Sequence, residues 1–241
     1  MIEKVKPYSP DLSKKEQVKE MFNNISQKYD FANTVLSFGI HTFWRKKCVN
    51  VLKKHQPKII LDLATGTADL AIALSQLRPE KIIAADFAEK MLQLAEKKIQ
   101  SKNLSSLIEV KKEDGENLTF NNETFDAVTI AFGIRNFENY KIGLSEMYRV
   151  LKPQGILLIL EFTMPRNFIM KGLYSFYFKF ILPIIAWIIT KDKKAYDYLP
   201  NSVKAFPQYE EFCSIIKNTG FSECSYIPLT GGIASIYVAK K

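Results

Sequence analysis

The run Leu61-Asp62-Leu63-Ala64-Thr65-Gly66-Thr67-Ala68-Asp69 joins an apolar stretch to a helical one. Small residues at such a junction let the backbone approach a ligand closely. A pyrophosphate cradle would want the spacing G-x-G-x-x-G. Only Gly66 is a glycine here, and Ala64, Thr65 and Ala68 stand where others might be. A nucleoside ligand without phosphate, such as S-adenosylmethionine, needs no such cradle; a ligand-free strand-to-helix turn is the competing reading. Asp86 ends the next apolar run, about twenty residues after Gly66. A carboxylate there can accept from both ribose hydroxyls, or it can be a strand-end or helix-capping group. Asp114-Gly115 follows a third run. That carboxylate could accept from an adenine amino group while the adjacent backbone N–H meets a ring nitrogen; a plain turn is the alternative. Each signal is weak alone, but three at the ends of three consecutive runs point to one ligand.

The elements that must hold these residues alternate. Lys58–Ala64, Lys81–Asp86, Leu107–Val110, Phe125–Ala131 and Gly155–Phe162 read as buried strands. Asp69–Gln76, Glu89–Ser101 and Tyr140–Leu151 read as the helices between them. Such alternation implies βαβ units and a parallel sheet. A helix over Tyr209–Asn218 and strands near Ser225–Pro228 and Ile233–Ala239 close the chain, with Gly231-Gly232 as a hairpin turn. At the other end, Ser13-Lys14-Lys15-Glu16 has the form of a capping box and opens a helix running into Met21 and Phe22.

Composition narrows the class. At 241 residues and 47% hydrophobic, the chain is long enough for one well-buried domain with an accessory lid. The net charge of +9 favours an anionic partner or a solvated basic coat. Cys48, Cys213 and Cys224 are odd in number and form no C-x-x-C pair, which argues against a disulfide framework or a metal site and for a reducing cytoplasm. The polar start, Met1–Pro10, has no signal-peptide core. A dehydrogenase using NAD is disfavoured by the glycine-poor loop. A basic nucleic-acid-binding module is disfavoured because the aromatic residues sit among apolar neighbours, so no nucleic-acid partner is expected.

Over nearly its whole length, from about Val18 to Lys241, the chain resembles the C-methyltransferases of menaquinone and ubiquinone biosynthesis. The resemblance is most specific in Ser37-Phe38-Gly39-Ile40-His41 and in Phe132-Gly133-Ile134-Arg135-Asn136. It is supported by Tyr29-Asp30 with Asn33, by Trp44-Arg45-Lys46, by Leu160-Glu161-Phe162 and by Leu229-Thr230-Gly231-Gly232. The run Met147–Pro153 and the pair Gly220-Phe221 occur across many small-molecule methyltransferases and say little about substrate.

The resemblance implies a Rossmann-like α/β fold of the class I S-adenosylmethionine-dependent methyltransferases: a seven-stranded, mostly parallel sheet with helices on both faces. It implies one domain over 1–241, with an N-terminal helical cap (1–56) and a lid insertion (165–205). The implied reaction moves a methyl group from S-adenosylmethionine to a ring carbon of a demethylmenaquinol, or of the ubiquinone precursor 2-polyprenyl-6-methoxy-1,4-benzoquinol, without a metal. Family cofactor contacts fall on Thr67, Asp86, Asp114 and Gly115, with Gly66 in the loop. Ala131 stands where a serine is common and offers only backbone, and Ala68 replaces a common glycine. For the acceptor, His41 could take a quinol proton or be a turn cap. Arg135 could stabilise a developing phenolate or serve a salt bridge to Asp30 or Glu161. Asn136 could meet a quinone oxygen, and Tyr29 and Asp30 would help close the cap over the cofactor.

An isoprenoid quinol partitions into a bilayer, and Phe168–Thr190 is strongly apolar. Lys171, Ser175 and Lys179 share one helical face, and with Pro183 they argue against a span, although Ile181–Ile189 is apolar throughout. An interfacial lid helix fits better, with Lys191, Lys193 and Lys194 beside it for anionic headgroups; a helix packed on the core is the alternative. The expected location is the cytoplasm, peripheral at the inner face of its membrane. A homodimer stays open.

Overall fold

The computed structural model describes residues 5–9, 11–181 and 193–241. The strands are β1 (Ile59–Leu63), β2 (Lys81–Asp86), β3 (Ile108–Lys112), β4 (Phe125–Ala131), β5 (Leu151–Phe162), β6 (Glu223–Leu229) and β7 (Ala234–Lys240). They form one sheet in the order β3-β2-β1-β4-β5-β7-β6. β7 pairs antiparallel with β5 and β6, and the other pairs are parallel. The expected seven-stranded, mostly parallel sheet is therefore present, and so is the hairpin, whose connection is a single turn at Thr230–Gly232. The strand near 151 starts earlier than expected. The expected helix runs to Leu151 and the expected strand begins at Gly155, but the register Phe125↔Leu151, shifted before Ala127↔Ile156, draws Leu151 and the residues after it onto the sheet.

Side chains alternate across the strands, and each face finds its own helices. Leu61, Leu63, Ile83, Val128 and Ile159 pack with Leu144 and Met147 of α5 (Tyr140–Val150) and Phe212 and Ile216 of α8 (Tyr209–Asn218). Ile60, Ile82, Ala84, Ala127 and Leu158 face the other way. There they meet α2 (Ile40–Lys53), α3 (Asp69–Leu74) and α4 (Glu89–Ser101) through Leu52, Leu74 and Ile99. Helices thus cover both faces. The strand order reverses direction between β1 and β4, and in open α/β sheets the crevice at the carboxyl ends of such strands takes the ligand.

Two segments stand over that crevice. The first is α1 (Lys14–Leu36), capped by Ser13, whose Oγ accepts from Glu16 N at 3.3 Å and donates to the Glu16 carboxylate at 2.9 Å. It continues unbroken past Phe22 to Leu36, 23 residues in all. The turn into α2 places Phe38 (φ 49) and Gly39 (φ 74) in the left-handed region. The glycine lets that reversal occur so close to the helix ends. The second segment is α6 (Phe168–Phe176) with a π-helical continuation, Tyr177–Ile181, followed later by α7 (Lys193–Ala205). Met21 of α1 and Tyr198 of α7 are buried against each other's neighbours. Residues 182–190 of the expected lid helix, Pro183 among them, and Lys191 lie outside the described residues. No helix among the described residues is long and apolar enough to cross a membrane.

The three cysteines are free thiols, but Cys213 and Cys224 lie 2.9 Å apart across α8 and β6. Nothing in their spacing predicts that proximity.

Candidate active site

The loop after β1 is built from alternating left-handed residues: Ala64 (φ 51), Gly66 (φ 57) and Ala68 (φ 64). Its amides are already engaged. Thr65 N donates to Ala85 O at 2.9 Å, Ala68 N to Thr65 O at 2.9 Å, and Gly66 N to Asp86 Oδ2 at 2.8 Å. The other Asp86 oxygen accepts from Ala88 N at 2.8 Å. Burial pushes the Asp86 carboxyl above its usual range, while the amides of Ala88 and Gly66 pull it back. Asp86, Asp114 and Gly115 line one cleft with Gly66, Phe87 and Met91. Asp114 pairs with Lys15 of α1 and accepts from Glu116 N at 3.1 Å. Gly115 is required by packing: a Cβ there would meet the Phe137 ring at 2.4 Å.

The donor set decides what this cleft can hold. It offers the Asp86 and Asp114 carboxylates as acceptors and Lys15 and Lys19 at its α1 wall, while the loop amides of Thr65, Gly66 and Ala68 are bonded within the protein. A diphosphate would meet two carboxylates and no nest of N–H groups. A carboxylate oxygen can accept more than one hydrogen bond, so a ribose diol and an adenine amino group can still donate to Asp86 and Asp114. The residues therefore fit S-adenosylmethionine: Asp86 could accept from the ribose, and Asp114-Gly115 could meet the adenine. Ala131 and Asn136 also line this cleft. Thr67 does not: it is 3% exposed, and its hydroxyl donates to Asp30 Oδ1 at 2.6 Å.

A second, larger cavity lies beside the first. The two share a wall made of Phe22, Tyr29, Ala64, Gly66, Ala131 and Phe132. His41, Trp44, Arg135, Phe162 and Tyr198 line the larger chamber. Among the sequence-expected residues, the structure thus brings His41 and Arg135 to one chamber and Asn136 to its border. Asn136 Nδ2 donates to Phe132 O at 3.2 Å, and its Oδ1 accepts from Tyr198 at 3.1 Å. Arg135 donates through Nη1 to Glu161 at 2.7 Å and to Phe132 O at 2.5 Å. The pair is buried, at 7% and 1% side-chain exposure, so Glu161 and not Asp30 is the arginine's partner. Burial raises the Glu161 carboxyl, and the guanidinium opposes that rise. Arg135 Nε is buried and meets no acceptor among the described residues.

His41 sits in the first turn of α2, and its Nδ1 contacts Ser37 Oγ. Burial, and then the nearby Arg45, hold its pKa below the usual histidine value. The imidazole is therefore neutral near pH 7. Asp62, behind the loop, is driven up to about 6 by burial against the Thr65 and Thr129 hydroxyls that hydrogen-bond it.

One network was not legible in sequence. Lys98 of α4 donates to Asp30 of α1 at 2.5 Å, to Asp69 of α3 at 2.8 Å and to Thr67 at 3.0 Å. Arg45 of α2 reaches the other Asp69 oxygen at 3.0 Å. These contacts tie both cap helices to the helix that follows the cofactor loop. Their partners are far apart in the chain, and no local pattern marks them.

A doubly wound sheet with an acceptor-lined nucleoside cleft at its switch point is the architecture of S-adenosylmethionine-dependent methyltransferases. Solved methyltransferases agree in fold: one of Thermotoga maritima superimposes with a TM-score of 0.62 at 18% identity, covering 92% of this chain and 99% of that one. Another, of Aquifex aeolicus, gives 0.57 at 20%, covering 79% and 87%. Within that class, the model of the ubiE/COQ5 methyltransferase family matches residues 11–241, and the chain belongs to this family. It is 47% identical to a demethylmenaquinone methyltransferase of Bacteroides fragilis over 240 residues, 99% of this chain and 98% of that one. It is 41% identical to a ubiquinone/menaquinone biosynthesis C-methyltransferase of Geotalea uraniireducens over 230 residues, 95% and 97% of the two chains.

Proposed function

We propose that this enzyme C-methylates a demethylmenaquinol. The observation that carries the reading is the apolar chamber joined to the nucleoside cleft through the wall at Tyr29, Gly66 and Ala131. A ring held there by Trp44, Phe132 and Phe162, which meet in tilted and edge-on contacts with centroids 4.3–6.1 Å apart, faces the place where the two cavities meet. When bound, S-adenosylmethionine supplies an electrophilic methyl group and departs as a neutral thioether. The chain's part is alignment and proton handling. His41 takes the quinol hydroxyl proton, which raises electron density on the adjacent ring carbon. Arg135 steadies the phenolate oxygen, and Asn136 hydrogen-bonds the ring's polar edge. The new C–C bond is balanced by loss of that carbon's hydrogen as a proton.

The cap helices, α6 and α7 cover the site in this reading, and the cover meets a lipid surface. Phe38, Phe168, Leu173, Phe176 and Phe180 are 50–89% exposed, far more than bulky apolar side chains usually are. Phe38 and Leu173 also line the chamber, so the apolar rim surrounds its mouth. Lys171 and Lys179 stand exposed beside it. The side chains of Lys193 and Lys194 lie outside the described residues. Such a surface suits a substrate whose isoprenoid tail stays in the bilayer.

The test uses the purified protein with S-adenosylmethionine and two reduced acceptors, a demethylmenaquinol and the methoxybenzoquinol of the ubiquinone route. Gain of one CH2 by the naphthoquinol supports the proposal, and turnover of the benzoquinol alone overturns the substrate assignment. Exchange of Phe168 and Phe176 for Ser should weaken binding to anionic vesicles and slow only the long-tailed substrate. Equal loss with a short-tailed quinol would remove the membrane role.

A further inference from the structure

Four polar residues spaced four apart, Tyr29, Asn33, Ser37 and His41, run along α1 and into α2, and all four line the large chamber. Their hydrogen bonds have a definite direction. The Ser37 hydroxyl donates to the Asn33 backbone carbonyl at 2.6 Å, so its only proton is committed. The contact between Ser37 Oγ and His41 Nδ1 therefore needs its hydrogen on the imidazole. A neutral imidazole carries one N–H, and if Nδ1 bears it, Nε2 presents a lone pair. We infer that Ser37 is a positioning residue that locks His41 in the Nδ1–H tautomer and leaves Nε2 as the basic atom of the chamber.

The geometry also excludes a relay through Ser37. A serine hydroxyl that donated into another hydroxyl or a carboxylate could pass a proton onward. Here it ends on a backbone carbonyl, which has none to exchange. A proton taken at Nε2 must leave from Nε2. Ser37 is itself held: its backbone N–H donates to the same Asn33 carbonyl at 3.0 Å as the cap of α1. The arrangement is thus set by the helix end and not by a free rotamer. The charged groups acting on His41 are Arg45 on its own helix, Asp69 on α3, Asp30 on α1 and Lys98 on α4. The two cations disfavour the imidazolium and the two carboxylates favour it.

The inference rests on the reading of His41 as the base, and its test separates the two. The chain has only two histidines, His41 and His55, so protein carrying 15N-histidine shows two assignable rings. At pH 7.5 the ring nitrogen shifts of wild type should report Nδ1 protonated and Nε2 bare for His41. Ser37→Ala should move that ring toward the Nε2–H form, Ser37→Thr should restore it, and His55 should not respond. In parallel, kcat for a water-soluble quinol should fall ~10-fold or more in Ser37→Ala with KM little changed, and recover in Ser37→Thr. An Nε2–H ring in wild type, or a tautomer indifferent to Ser37→Ala, overturns the inference. A tautomer that shifts as expected with kcat unchanged overturns His41 as the base while leaving the hold of Ser37 on the ring established.

Discussion

The Arg135–Glu161 pair can be taken apart in a way that separates stability from catalysis. Both groups are buried, the contact is 2.7 Å, and Glu161 Oε1 also accepts from Phe162 N at 2.9 Å. Glu161→Gln keeps the shape but leaves the guanidinium buried without an anion. Removing one partner of a buried pair costs about 3–5 kcal/mol. For a domain of this size that lowers Tm by roughly 6–20 °C. Replacing both, Arg135→Met with Glu161→Leu, removes the desolvated charges together and is close to neutral or better. The Phe132 carbonyl keeps Asn136 Nδ2 as a donor in that variant. Thermal unfolding should therefore show a deep loss for the single variant and recovery for the double one. Turnover should not recover. If Arg135 stabilises the phenolate, the double variant falls ~10²-fold or more in kcat, as for one lost preorganised donor. A double variant that is both stable and active would refute the catalytic role. A Glu161→Gln protein as stable as wild type would refute the burial argument.

Three further outcomes are expected. Asp86→Ala should weaken S-adenosylmethionine binding by about 1.5–3 kcal/mol, the worth of a hydrogen bond to a charged group, and calorimetric titration of the folded variant reads this directly; unchanged affinity would place the ribose elsewhere. Lys98→Met leaves Asp69 with Arg45 and Asp30 with the Thr67 hydroxyl; because these side chains are 23–42% exposed, the loss should be only about 1–2 kcal/mol. It should appear as faster hydrogen exchange in α1 with the sheet unaffected. The His41 pKa lies below its unfolded value of about 6.5, so on acidification the unfolded chain takes the proton first. Its contribution to stability is present above pH 6.5 and is lost as pH falls through 6.5 toward the folded pKa. His41→Gln should flatten that part of the denaturant-midpoint profile, and a profile identical to wild type would contradict the burial of the ring.

What could be read without coordinates was whatever local pattern encodes. Buried parallel strands show as apolar runs, and helices between them show by their periodicity. Asp86 and Asp114-Gly115 were legible because each stands at the end of such a run, where chain geometry alone puts them at the sheet's carboxyl edge. Ser13 was legible as a cap because its partner Glu16 is one turn away. What no local pattern encodes is which distant groups meet. Thr67 shares the loop's sequence signal but turns its hydroxyl to Asp30, 37 residues away. The choice of Glu161 over Asp30 for Arg135 follows from β5 lying beside β4 in the sheet, while α1 delivers Asp30 to Lys98. The Lys98 network and the meeting of Cys213 with Cys224 likewise depend on tertiary neighbours. Backbone preference and burial pattern are properties of a segment and survive in the sequence. Ion pairing and proton placement are properties of a neighbourhood, and only the folded chain assembles one.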